Sequence, residues 1–139
     1  AGVATGAIAH AALVADLLGL PLVYVRPKPK DHGTGSLIEG TLPEGSRTVV
    51  VEDLVSTGMS SLAAVKALRD AGAEVLGMVA IFTYQFPAAE KRFAAEGVKL
   101  STLSDYGALL EEASASGFID PSEMDMLRLW RSDPAGWKK

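Results

Sequence analysis

The 139-residue sequence contains no cysteine, which excludes disulfides and thiolate metal centres and fits a reducing, cytoplasmic setting. It has no basic excess either. With 13 Lys and Arg against 17 Asp and Glu, the net charge is −4, so a broad cationic face for nucleic acid is excluded and any polyanion site must be local. Pro, Gly or a charged residue interrupts every hydrophobic stretch, and none approaches the roughly 18 apolar residues of a membrane span. Neither nucleic acid nor membrane is an expected partner. Two phosphate signatures are missing as well: there is no Gly-Lys-Ser or Gly-Lys-Thr, and no Gly-x-Gly-x-x-Gly, so the nucleotide loops built on them are ruled out. What is present is ordinary for a globular chain, 48% hydrophobic and 22% charged. The length suits a single domain over residues 1–139.

Apolar spacing alternates between helix and strand. Residues 7–18 place Leu13, Val14, Leu17 and Leu18 at helical spacing and end at Gly19 and Pro21, the usual stop signals. Residues 22–25 form a short apolar run rich in strand formers, 37–40 a possible returning strand, and 48–52 a β-branched run that reads as an interior strand. Helices are expected at 60–71, with Gly72 as a left-handed cap, and at 87–96, opened by Pro87. Strands are expected at 75–82 and 98–103. A helix at 106–113 follows, and Asp120, Pro121 and Glu123 carry the cap, first-turn proline and capping acid of another. Strands without two-residue alternation, each followed by a helix, predict an α/β fold whose parallel sheet is flanked by helices on both faces.

In such a sheet, ligands collect beyond the carboxyl ends of the strands. Residues 48–60 have the layout of such a site: an apolar strand, two adjacent acids, Glu52 and Asp53, then Leu54, Val55, Ser56, Thr57, Gly58, Met59 and Ser60 leading into a helix. Backbone amides at a helix start, with Ser and Thr hydroxyls beside them, make a cradle for a phosphate dianion, and Gly58 permits close approach. The acids suit a different group. Vicinal hydroxyls of a ribose donate hydrogen bonds that ionised carboxylates accept strongly.

Residues 49–60 resemble the phosphoribosyl-diphosphate motif of the type I phosphoribosyltransferases. Residues 24–40, with Arg26, Pro27, Lys28, Lys30, Asp31, His32, Gly33 and Gly35, resemble the mobile catalytic loop of that family's orotate-using members. Ala4, Thr5 and Gly6 resemble its pyrophosphate loop, and the similarity runs on to the tail at residues 130–137. The resemblance implies transfer of a phosphoribosyl group from 5-phosphoribosyl 1-diphosphate to orotate, forming orotidine 5-phosphate and diphosphate in pyrimidine (UMP) synthesis. It assigns Arg26, Lys30 and His32 to catalysis on the donor's diphosphate, with Lys28 a further contact. Glu52 and Asp53 would hold the ribose hydroxyls, residues 54–60 the 5-phosphate, and Ser56 also orotate. It further implies a homodimer in which loop 26–35 reaches the neighbouring site, and magnesium held mainly by substrate and water.

The loop chemistry is consistent with that reaction. Negative charge builds on departing diphosphate, so the protein's task is electrostatic and positional. Arg26, Lys28, Lys30 and His32 supply cations, and His32 has the side chain suited to proton donation near neutrality. Gly33 and Gly35 allow closure over the reactants.

Three departures from the family pattern stand out. Pro27 replaces a second basic residue carried by some members. No Arg occurs within residues 82–85, where some members place one for the orotate carboxylate. Members also carry a segment before the pyrophosphate loop, including a core strand and much of the hood over the base. Residues 1–6 read as a turn whose preceding element is missing, so a longer natural protein is expected.

Other residues read as structural. His10 lacks a nearby acid in sequence, Trp130 and Trp137 suit packing, Met124 and Met126 suit the core, and Asp16, Glu111 and Glu112 suit solvated helix faces. A purine-base phosphoribosyltransferase and a non-catalytic regulator of the same fold are the alternatives. The basic loop argues against the first, and its completeness against the second.

Overall fold

The structure is a computed structural model that describes residues 1–28 and 36–137. A six-stranded sheet runs in the order β3-β2-β1-β4-β5-β6. Its strands are β1 (Gly2–Val3), β2 (Tyr24–Val25), β3 (Ile38–Glu39), β4 (Arg47–Val55), β5 (Glu74–Thr83) and β6 (Leu100–Asp105). Only β3 is antiparallel to its neighbour. The helices are α1 (Ala7–Leu18), α2 (Met59–Asp70), α3 (Pro87–Ala95), α4 (Tyr106–Ala115) and α5 (Met124–Ser132). From β1 the chain steps through α1 outward to β2, whereas from β4 it steps through α2 and α3 the other way to β5 and β6. Right-handed crossovers in opposite directions put α1 on one face and α2 and α3 on the other, as the sequence pattern predicts.

The core lies mainly between the sheet and α2. Val50, Val55, Val65, Leu68 and Met78 are almost wholly buried there. α3 closes this layer with Ala89 and Phe93. At the far edge the Asp105 side chain caps α4 by accepting from Ala108 N at 3.0 Å. A 3-10 turn, Pro121–Glu123, carries the expected capping box and leads into α5. Trp130 of α5 packs its ring on Tyr84, Phe86 and Tyr106, so it is a packing anchor, as read from the sequence.

Three details depart from the sequence reading. Residues 2–3 form a strand, not a turn: Gly2 N donates to Val23 O and Ala4 N to Val25 O, both at 2.9 Å, while Val51 N donates to Ala1 O at 2.7 Å. Two residues carry no periodicity, so only the strands on either side define this one. The face of α1 also differs. Ala7 and Ala11 are buried, while Leu13, Leu17 and Leu18 are 70%, 85% and 61% exposed. The cause is close packing: a Cβ at Gly2 would meet Ala11 Cβ at 2.9 Å, so only small side chains fit between α1 and β1. Finally, β4 continues through both acids to Val55, because β5 pairs with it as far as Thr83.

The sheet face opposite α2 keeps Val49, Val79 and Ile81 about two-fifths exposed. No helix among the described residues is long and apolar enough to cross a membrane.

Replacing Leu68, which is fully buried in α2, by Ala should cost about 2–5 kcal/mol of unfolding free energy, measured as a lower urea midpoint at unchanged slope.

Candidate functional site

The strand order reverses between β1 and β4, and the carboxyl ends of these two strands face a common crevice. That is where an open α/β sheet binds ligands. The loop Ala4, Thr5 and Gly6 leaves β1 there, and residues 54–58 leave the end of β4 there. The sequence-predicted pyrophosphate loop and ribose-phosphate motif are therefore brought together across the sheet.

Their contact is intimate. Gly6 takes an ordinary helical φ of −59°, yet a Cβ added to it would collide with the Asp53 carboxylate. Glycine is needed here for space, not for backbone freedom. Asp53 is partly exposed, and its Oδ1 accepts from Leu54 N at 2.9 Å. Two helices begin beside it, α1 after Gly6 and α2 after Gly58, and no side chain caps either start. Free amides at both helix starts offer hydrogen bonds and positive dipole ends to anions on either side of Asp53.

Gly58 serves a second close approach. Its φ of 76° is left-handed, and a Cβ would meet the Phe93 ring at 2.9 Å. The turn is also held from α3, since Arg92 Nη1 donates to Thr57 O at 2.7 Å. Ser56 is half-buried, whereas Leu54, Thr57, Met59 and Ser60 are exposed and Val55 is buried. The motif thus mixes one packing residue with several that face the crevice side or solvent.

The two acids, expected to act as a pair, stand in different surroundings. Glu52 is only 4% exposed. Its Oε2 accepts from Ser61 Oγ at 2.8 Å and its Oε1 from Asp53 N at 3.1 Å. Burial, and then the neighbouring Asp53 carboxylate, pushes the Glu52 carboxyl up from an ordinary 4.5 to about 7. Ser61 and Arg92 went unnoticed in the sequence. Ser61 looked like one more helical residue, and Arg92 lies 35 residues beyond its partner, a separation with no local signal.

Arg26 follows β2 at the same end of the sheet. Its backbone N donates to Leu37 O at 2.8 Å, and its Nη1 lies 3.3 Å from Glu39 Oε1. Both contacts close the base of the β2–β3 hairpin. Lys28 is exposed. Lys30, His32, Gly33 and Gly35 lie outside the described residues. His10, read as structural, is exposed, and its Nδ1 lies 3.1 Å from Gly6 O. Among the described residues no group of three His, Cys, Asp or Glu is arranged to hold a metal ion.

Known proteins share this arrangement. Residues 1–109 match the phosphoribosyl transferase domain family. The chain is 58% identical over 137 residues to the orotate phosphoribosyltransferase of Porphyromonas gingivalis, covering 99% of this chain and 65% of that protein. Among solved structures, the orotate phosphoribosyltransferase from Aeropyrum pernix superposes with a TM-score of 0.73 at 38% identity, over 81% of this chain and 63% of that one. Adenine phosphoribosyltransferase from Leishmania tarentolae has a TM-score of 0.62 at 23% identity, over 77% of this chain and 61% of that one. That last likeness concerns the fold alone. The chain spans about two thirds of the length of such relatives.

The raised Glu52 carboxyl makes a stability prediction. Between pH 4.5 and about 7 the folded chain keeps a proton that the unfolded chain releases, so this component of stability is full at low pH and is lost as pH rises. Glu52→Gln removes the ionisation. The unfolding free energy of the variant minus that of the parent should therefore grow between pH 5 and pH 8, by at most about 3 kcal/mol. Urea titrations at several pH values measure it.

Proposed function

The chain belongs to the phosphoribosyl transferase family, and from that premise we propose that it transfers the phosphoribosyl group of 5-phosphoribosyl 1-diphosphate to orotate, giving orotidine 5-phosphate and diphosphate. The observation that carries this is the crevice between β1 and β4, where two uncapped helix starts flank the Asp53 carboxylate. Such a site suits a sugar with an anion at each end. The 5-phosphate would rest on the amides of the turn 54–60 and the start of α2, and the diphosphate on the loop Ala4, Thr5 and Gly6. Asp53 would accept from the ribose hydroxyls between them. Orotate as the acceptor is supported by the 58% identical relative of that name and by the basic loop 26–35. The purine-base alternative is supported only by relatives that share the fold.

Catalysis in this reading is charge compensation. As the bond from ribose C1 to diphosphate breaks, Arg26, Lys28, Lys30 and His32 would meet the charge on the leaving group, and His32 would supply a proton. Arg26 would exchange Glu39 for the diphosphate when substrate arrives. Pro27 leaves Lys28 to stand in for the second basic side chain of other members. Ser56, half-buried at the crevice, would contact the base.

Magnesium is part of the proposal. A hard cation that retains water is suited to substrate oxygens and a single nearby carboxylate, and Asp53 fits that donor set without a protein cage. When bound, the ion would neutralise diphosphate charge. The proposal also includes a cytoplasmic homodimer in which loop 26–35 of one subunit enters the neighbouring site.

With full-length protein and magnesium, orotate should be consumed in the presence of 5-phosphoribosyl 1-diphosphate, read by its ultraviolet absorbance. Turnover of hypoxanthine or guanine but not orotate would overturn the substrate assignment, and binding of the donor without any turnover would favour the regulator. Lys30→Ala should slow turnover about a hundredfold or more while leaving the thermal midpoint within about 1 °C; parallel loss of stability and activity would refute a purely catalytic role.

A further inference from the structure

Glu52 and Asp53 are adjacent in sequence and look interchangeable, but only one of them presents a carboxylate to the crevice. Successive strand residues point to opposite faces of the sheet. Glu52 turns toward α2, where its Oε2 accepts from Ser61 Oγ at 2.8 Å and the residue is 4% exposed. Ser61 is itself 1% exposed, so this bond lies wholly inside the core layer. The other oxygen, Oε1, accepts from the backbone N of Asp53 at 3.1 Å. Asp53 turns the opposite way. Its carboxylate packs against Gly6, beside the starts of both helices, and is partly exposed.

We infer that Glu52 is a positioning residue and not a ribose ligand: bonded to Ser61, it latches the end of β4 to the first turn of α2 and fixes the backbone from which Asp53 alone meets the ribose. The inference rests on the proposed donor substrate and refines its contacts. A carboxylate with both oxygens engaged in the core would have to break its bond to Ser61 to reach a hydroxyl. That would leave a buried serine without its partner, a loss the crevice has no means to offset. The latch also explains the placement of a buried acid. α2 must begin at a fixed distance from Asp53 if its amides and that carboxylate are to grip one ribose phosphate, and the bond from Ser61 to Glu52 spans those two elements.

Charge separates the two roles. A ligand of ribose hydroxyls depends on being an ionised acceptor, whereas a latch needs only an oxygen and a neighbour able to donate to it. Glutamine keeps the latch, because its amide can both accept from and donate to the Ser61 hydroxyl. Alanine does not.

The test uses full-length protein with orotate, 5-phosphoribosyl 1-diphosphate and magnesium, reading kcat and KM for the donor together with its Kd by calorimetry. Asp53→Asn should raise KM and Kd about tenfold or more, the loss expected for a charge-assisted hydrogen bond. Glu52→Gln should raise them less than about threefold, while Glu52→Ala should lower kcat about tenfold or more as the turn loses its anchor. The rescue by glutamine is what a ribose ligand would not show. Equal rises in KM for Glu52→Gln and Asp53→Asn would overturn the inference alone. Absence of donor binding by the wild-type protein would overturn the functional reading, and this inference with it.

Discussion

The parallel pairing of residues 1–4 with both β2 and β4 sets the position of everything that matters for binding. Gly2 N and Ala4 N reach the carbonyls of Val23 and Val25, while Val51 N reaches the Ala1 carbonyl. This short strand is where the connections diverge, outward through α1 on one side and through α2 on the other. Because it ends level with β4, the loop leaving it is delivered directly against Asp53. Gly6 touching the Asp53 carboxylate is the local result of that alignment. A one-residue change in register would point Val51 and Glu52 to the wrong faces and separate the two loops.

Small residues make the alignment possible. Gly2 lies against Ala11, Gly6 against Asp53, and Gly58 against Phe93, each too close for a further carbon. Helix and strand can approach this nearly only when one partner lacks bulk, which is why α1 buries alanines and turns its leucines outward. The same economy serves the ligand. Backbone amides at the two helix starts are not shielded by side chains, and no capping oxygen competes for them.

Much of this was legible in the sequence. The β-branched runs, the left-handed glycine at 72 with φ 86° and Pro87 at the start of α3 marked the central strands and their helices to within one or two residues, and the order of Glu52 to Ser60 marked the turn. What was illegible depended on partners far along the chain. The two-residue β1 has no pattern of its own, and the extension of β4 through its acids is dictated by the length of β5. The outward leucines of α1 defeat a periodicity argument, because spacing identifies a stripe without saying whether the stripe or its small-residue neighbour faces the sheet. The distinct roles of Glu52 and Asp53 follow from strand alternation only once the strand is known to include both.

The end of β5 shows how packing can displace recognition. Some family members place an Arg just past this strand, whereas here Tyr84 lies among Phe82, Phe86, Tyr106 and Trp130. The next residue, Gln85, takes a left-handed φ of 56°. Its Oε1 accepts from Gly107 N at 3.3 Å and from Arg131 Nη1 at 2.9 Å. These contacts bind α4 and α5 to the sheet edge and commit the aromatic rings to one another. A cation at position 84 would have to desolvate inside that cluster, which costs more than a paired charge at the surface returns. Arg131 shows the alternative: its charge stays at the margin and donates to Gln85 while the neighbouring Trp130 fills the interior. The carboxyl end of β5 is thus a structural joint, and selectivity for the base falls to the crevice around Ser56 and to groups that approach it from outside the sheet.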